Sequence, residues 1–335
     1  MDSRRQFLQR ASTALTAALV APAAACDPRE YARAHGATLR LSIAAGNIGG
    51  VFYPYAGAIA AVITAHVPRV AATAEVTGGT IDNMQFLQHG TADLAFATAD
   101  LLGEAVDGTG VFARLGRVPV RAIAVLYYSY LHVATLADTG IDSLDDLRGR
   151  VVSVGSAGSS TEVFALRLMR AAGLDPERDV RRQGLGIGPA ADAVRDGKVD
   201  ALFWIGGVPT AAILELASAA GRHLVLLPNA HLLGRMRDAH GDGVYVERTI
   251  HAGAYRGINA DVKVLGLSNL LVADARMSDE LAYEVTRALF VHTDELAAVH
   301  SEARNLSLES AVEGSPIAFH DGARRFYTER GVWKS

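Results

Sequence analysis

The sequence carries one cysteine, Cys26, in 335 residues. A disulfide within the chain is therefore excluded, and so is a metal centre built from cysteine thiolates. No apolar run reaches the roughly 20 residues that a helix needs to cross a bilayer. The net charge is −4, and no stripe of lysine and arginine stands out, which argues against a nucleic-acid partner. Signatures of several chemistries are missing as well. No Gly-Lys-Ser/Thr completes a phosphate-binding P-loop, no G-x-S-x-G marks a hydrolase nucleophile, and no H-E-x-x-H or related spacing marks a metal site. His132, His251 and His292 are scattered, so a solvated or core role is the default for each. Neither a catalytic constellation, a metal site nor a cofactor is expected. What is present is 50% hydrophobic and 20% charged, a globular profile at a length comfortable for two domains.

The N-terminus reads as an address. MDSRRQFLQR is a charged stretch, and ASTALTAALVAPAAAC is an Ala-rich, mildly apolar one ending in small residues, the order of an export signal. Ser3-Arg4-Arg5-Gln6-Phe7-Leu8 resembles the twin-arginine signal. Ala23-Ala24-Ala25-Cys26 resembles a lipobox, although Leu is usual where Ala23 stands. Residues 1–25 are expected to be the signal, Cys26 the lipidated first residue of the mature chain, and 26–37 a polar tether. Ordinary cleavage after an Ala-x-Ala site is the alternative. The expected location is periplasmic, anchored by lipid.

From Thr38 onward, short apolar runs alternate with helical periodicity, the pattern of α/β units. Strands are expected at Leu39–Ala44, Ala72–Val76, Leu94–Thr98, Arg121–Leu126, His132–Leu136, Val151–Val154, Val199–Trp204, Leu224–Leu227 and Val264–Val272. Between them, helical faces are formed by Tyr55, Ile59, Val62 and Ile63, by Phe164, Leu168 and Ala172, and by Leu281, Val285 and Leu289 with Ser278 as N-cap. Residues 121–136 and 262–273 are unusually long extended runs. Two strands longer than one sheet needs would cross between two lobes. That places lobe 1 at 38–130 plus 265–335 and lobe 2 at 131–264.

Glycine- and hydroxyl-rich segments lie between strand ends and helix starts, where open α/β sheets bind ligands. In the first, Gly46–Pro54, glycines admit close backbone approach and Tyr53 could close over a ligand; a plain tight turn is the other reading. In Thr77–Asn83, Thr80 could cap the next helix, and its hydroxyl and the Asn83 amide could also face a ligand. In Gly155–Glu162, hydroxyls open a helix whose free N–H groups and positive end suit a carboxylate, with capping alone as the alternative. In Phe203–Thr210, Trp204 is either a pocket wall or a core residue.

These loops resemble the TAXI family of TRAP-transporter solute-binding proteins. The resemblance is carried by IAAGNIGGVFYPYAGAIA, TGGTIDNMQFLQHGTADLAFATAD, VVSVGSAGSSTEVFALRLMRAAGL, DALFWIGGVPTAAILELA and PIAFHDGARRFYTERGV. It implies a two-lobed periplasmic-binding-protein-like (type II) α/β fold, with the ligand cleft between lobes joined by two crossing strands. It also implies a non-enzymatic role: delivery of a small carboxylated solute, such as glutamate, glutamine or 2-oxoglutarate, to a membrane permease driven by an ion gradient. Carried over by motif, the ligand contacts are Gly49, Gly50, Tyr53, Thr80, Asn83, Ser156, Ser159, Ser160, Thr161, Trp204, Gly207 and Pro209, with Tyr255 as a further candidate. The sequence departs from the family where Tyr255-Arg256-Gly257-Ile258 replaces the usual Tyr-Pro-Gly-Gln, and where Asp321 replaces proline. A sensor that feeds a signalling partner, or an extracytoplasmic α/β enzyme, are the competing readings.

Overall fold

The computed structural model describes residues 37–219, 221–241 and 244–333. The Arg4-Arg5 signal, Cys26 and the tether up to residue 36 lie outside them. By its contacts the chain divides into Met1–Leu39 and Arg40–Ser335, and the fold that follows is that of the second unit.

Ten strands form one mixed sheet: β1 (Leu39–Ala44), β2 (Val70–Glu75), β3 (Leu94–Thr98), β4 (Val120–Leu136), β5 (Val151–Ser153), β6 (Arg181–Gln183), β7 (Ala201–Gly206), β8 (Leu224–Leu226), β9 (Val246–Ile250) and β10 (Val262–Asp274). Their order is β2-β1-β3-β10-β4-β7-β5-β6, with β8 on β4 and β9 on β10. The two expected long runs are single strands of 17 and 13 residues. At about 3.3 Å per residue, β4 has a contour of roughly 55 Å. It changes partners on the way: Val120–Tyr130 pairs with β10, and Tyr130–Thr135 pairs with β7. β10 does the same, pairing with β9 over Val262–Gly266 and with β3 over Asn269–Ala273. The sheet therefore has two halves with β4 and β10 running through both. The segments Arg121–Leu126 and His132–Leu136, expected as separate strands, are one, because Tyr127–Leu131 continues the extended backbone. β6 and β9 were not expected. Both are polar at most positions, and their hydrophobic signal is weak.

Helices cover the faces. α1 (Phe52–His66), α2 (Thr80–His89) and α3 (Ala99–Asp107) follow β1, β2 and β3; α4 (Ser160–Ala171), α5 (Ile187–Arg195) and α6 (Ala211–Ala217) follow β5, β6 and β7. β7 shows how the sheet is filled on both sides. Ala201, Phe203 and Ile205 enter one core cluster with Phe164, Leu168 and Met169, while Leu202 and Trp204 enter another with Ile187, Ala212 and Ile213. The alternation is the period of two that a strand imposes. Each of the larger aliphatic and phenyl side chains among them stabilises the fold by about 1.5–3 kcal/mol through burial. Ser278 caps the helix Asp279–Val291 as expected, its hydroxyl accepting the N–H of Leu281.

Candidate functional site

The strand-to-helix loops of the two halves meet. The N–H of Ile81 donates to Gly158 O at 3.2 Å. Asn47 Nδ2 donates to Ser156 Oγ at 3.0 Å and to Gly78 O at 3.2 Å. Gly79, at φ 131°, is the N-cap of α2, and a Cβ there would sit 3.2 Å from Ser159 Cα. Only glycine combines that backbone with that approach. Deeper on the same side, Arg167 on α4 pairs with Asp100 at 3.3 Å and with Glu104, both on α3, and bonds Tyr245 Oη at 3.0 Å. From the C-terminal segment, Glu302 accepts the N–H of Val208 at 2.9 Å. The two halves are thus held against each other in a closed arrangement.

Between these contacts lies a cavity of about 40 Å3, lined by residues that include Gly50, Thr98, Tyr127, Ser159, Ser160, Thr161, Trp204 and Asn269. No side chain in the lining carries a formal charge. Hydrogen-bonding capacity comes instead from hydroxyls, amides and the start of α4. Ser159 is the N-cap: its Oγ accepts the N–H of Glu162 at 3.2 Å and donates to Ser156 O at 2.6 Å. Among the described residues, the amides of Ser160 and Thr161 have no acceptor and the Ser160 hydroxyl has no partner. Two open N–H groups, a free hydroxyl and the positive end of a 12-residue helix make an anion seat.

Opposite this seat stands Asn269 on β10. Its Nδ2 donates to Ser129 Oγ at 2.7 Å and to Tyr127 O at 3.3 Å. The carbonyl acceptor fixes the amide's orientation, which leaves Oδ1 buried with no partner among the described residues. The pairing of β10 with β4 is irregular between Asn269 and Leu270, and a bulge of this kind re-aims side chains beside binding sites. Burial, with Glu302 nearby, raises the Tyr127 phenol well above its ordinary range, so it stays protonated.

The residues expected from sequence fall into three groups. Gly50, Ser159, Ser160, Thr161 and Trp204 line the cavity. A Cβ on Gly50 would meet the Trp204 ring at 3.0 Å, so the glycine makes room for the indole. Gly49, Tyr53 and Pro209 line an outer depression of about 290 Å3 that Gly50 shares. Thr80, Asn83, Ser156, Gly207 and Tyr255 line neither. Thr80 is the first residue of its helix rather than its cap, and its Oγ1 accepts the N–H of Thr98 at 3.2 Å. Asn83 is fully used: it donates to Ala45 O and Phe96 O at 2.7 Å each and accepts from Thr77. Gly207 lies against the Glu302 carboxylate.

Tyr255 supports the site from behind. His132 Nδ1 donates to Tyr130 O at 3.0 Å, so Nε2 accepts from Tyr255 Oη at 2.9 Å. Tyr255 Oη in turn accepts the N–H of Thr210 at 3.0 Å, and Thr210 Oγ1 accepts Trp204 Nε1–H at 3.0 Å. This chain holds the indole at the cavity wall. Burial lowers the His132 imidazole to about 4, so it is neutral at pH 7 and keeps the tautomer that the chain requires.

Thr98, Tyr127 and Asn269 escaped the sequence reading. The available signal was the buried polar pair Ser268-Asn269 inside a largely apolar strand. Among the described residues, one cluster has metal-binding composition: His66, His292 and Glu295. The two imidazoles stack in parallel at 3.4 Å and both bond the Glu295 carboxylate at 2.9 Å. Both ring nitrogens meet the same Glu295 oxygen, Oε1, so the cluster is hydrogen-bonded within itself.

Residues 43–331 match the model of a family described as NMT1-like. A solved protein from Bordetella bronchiseptica RB50 is 19% identical, with 86% of this chain and 88% of that one covered and a TM-score of 0.52. The binding-protein component of an ABC phosphonate transporter from Pseudomonas aeruginosa is 14% identical over 79% of each chain, with a TM-score of 0.49. The substrate-binding protein of an amino acid ABC transporter is 13% identical over 80% of this chain and 100% of that one, with a TM-score of 0.46. At these identities the likeness speaks to the fold alone.

Proposed function

The chain belongs to the NMT1-like family, and from that premise we propose that it is a periplasmic solute-binding protein that seats a small carboxylated solute and passes it to a membrane permease. One observation carries this reading. The cavity offers an anion seat made of neutral donors at the start of α4, with no charged side chain in its lining. Donors of this kind hold a carboxylate by charge-assisted hydrogen bonds. They do no chemistry, because nothing in the lining forms an acid–base pair near neutral pH. We place the lobes at 38–130 with 265–335 and at 131–264, hinged where β4 and β10 change partners. A cavity of about 40 Å3 has room for only a few water-sized groups, so a bound solute parts the lobes or extends into the outer depression that shares Gly50.

The resemblance to TAXI proteins supports a TRAP-type permease as partner, and the Arg4-Arg5 and Cys26 motifs support twin-arginine export with a lipid anchor. Mass spectrometry of the mature N-terminus tests the anchor: an unmodified residue other than Cys26 rules it out. The binding reading is tested by a thermal-shift screen of amino acids, dicarboxylates and keto acids. A ligand at 100 times its dissociation constant adds about 2.7 kcal/mol of stability. If no carboxylate moves the melting temperature, the reading fails.

A further inference from the structure

Arg248 on β9 is a cation without a counter-ion. Among the described residues it has no ion pair and donates no hydrogen bond, and its Nε is buried without a partner. Its position is nevertheless built. The aliphatic stem lies across Gly266 of β10, where a Cβ would come within 2.7 Å of Arg248 Cγ. Its guanidinium carbon sits 3.8 Å from the centroid of the Tyr128 ring. The strand glycine clears a path and the aromatic face holds the planar cation, an arrangement that fixes a guanidinium's direction.

Beside it lies a cavity of about 210 Å3, lined by Tyr128, Tyr130, Arg248, Asn305 and Ser310 among others. Tyr127 lines this cavity as well as the cleft, so the two adjoin along β4, while Arg248, Asn305 and Ser310 line this one alone. Burial and the Glu302 carboxylate raise the Tyr130 phenol above its ordinary range, and Arg248 opposes them. That carboxylate is already bonded to Val208 and to Asn305 Nδ2 and forms no pair with Arg248.

We infer that this cavity is a second binding site, beside the cleft, for a small oxyanion of the carboxylate or phosphate class, with Arg248 as its charged anchor. An unbonded guanidinium offers parallel N–H donors that match two oxygens of such a group. Its occupant contacts Val125–Tyr130 of β4, one of the two strands that run through both halves of the sheet.

Titration calorimetry of the full chain with inorganic phosphate tests the inference, using the parent, Arg248→Gln, Arg248→Lys and Ser160→Ala. Phosphate binding should weaken by about tenfold or more in Arg248→Gln, as expected for losing a charged hydrogen bond. It should fall less in Arg248→Lys and be unchanged in Ser160→Ala. The ligand-free melting temperature of Arg248→Lys should stay near the parent's, because no internal hydrogen bond is lost. A phosphate held in the cleft would respond to Ser160→Ala instead, which keeps the two sites distinguishable. The inference is overturned if the parent binds no phosphate, or if binding is indifferent to Arg248→Gln.

Discussion

Ser159 and Ser160 are adjacent hydroxyls at the start of α4, and their alanine variants should behave oppositely. Ser159 Oγ accepts the N–H of Glu162 at 3.2 Å. Ser159→Ala therefore removes an N-cap, at a cost of about 0.5–2 kcal/mol of folding stability. Ser160 is 7% exposed and lines the cavity, yet its hydroxyl has no partner among the described residues. Ser160→Ala breaks no internal hydrogen bond, so its ligand-free melting temperature should match the parent's. If the hydroxyl donates to the ligand's carboxylate, its loss removes about 1.5–3 kcal/mol of binding, roughly a tenfold to hundredfold weaker affinity. Thr161→Ala should fall between the two, because Thr161 Oγ1 also accepts the N–H of Ile205 at 3.4 Å. Calorimetric titration with the strongest acid from the thermal screen, beside ligand-free melts, separates the terms. Ser160→Ala binding as tightly as the parent would refute the anion seat.

Other consequences follow from the surrounding network. His132 is held at about 4 by burial, below its unfolded value near 6.5, so the unfolded chain binds the extra proton. Its contribution to stability is full above pH 6.5 and is lost as pH falls toward 4, on the order of 3 kcal/mol in all; denaturant melts across that window should show the slope, and His132→Gln should flatten it. Tyr255→Phe leaves the Thr210 N–H and His132 Nε2 unbonded and should lower stability by about 1–3 kcal/mol per orphaned group, read as a drop in denaturation midpoint. Arg167→Met strips Asp100 of its buried partner and should cost about 3–5 kcal/mol in the closed form, visible as lower melting temperature and weaker ligand binding. Asn269 Oδ1 needs a donor, so an amino acid should bind about tenfold tighter than its deaminated analogue, and Asn269→Leu should erase the difference in a paired titration.

Much of this fold is legible in the sequence because its strands are apolar runs and its loops are glycine-rich. The two long runs announced β4 and β10, and the hydroxyls of Gly155–Glu162 pointed to the start of α4, where Ser159, Ser160 and Thr161 line the cavity. What sequence hides is where a polar side chain spends its hydrogen bonds. Thr80 and Asn83 look like ligand groups in a loop, but the fold uses them to tie α2 to β1 and β3. Tyr255 has the same character, reaching back to His132 across 123 positions. Asn269 is the converse case: a strand residue whose role depends on a local irregularity in the pairing of β4 with β10. Neither kind of assignment follows from periodicity, since both depend on contacts between distant segments.

The most direct measurement is a crystal structure of the protein with the acid that gives the largest thermal shift. The carboxylate should lie within about 2.7–3.1 Å of the Ser160 and Thr161 amides and the Ser160 hydroxyl, with the ligand intact between the two halves of the sheet. An acid bound elsewhere, or found chemically altered in the cavity, would contradict the proposed receptor.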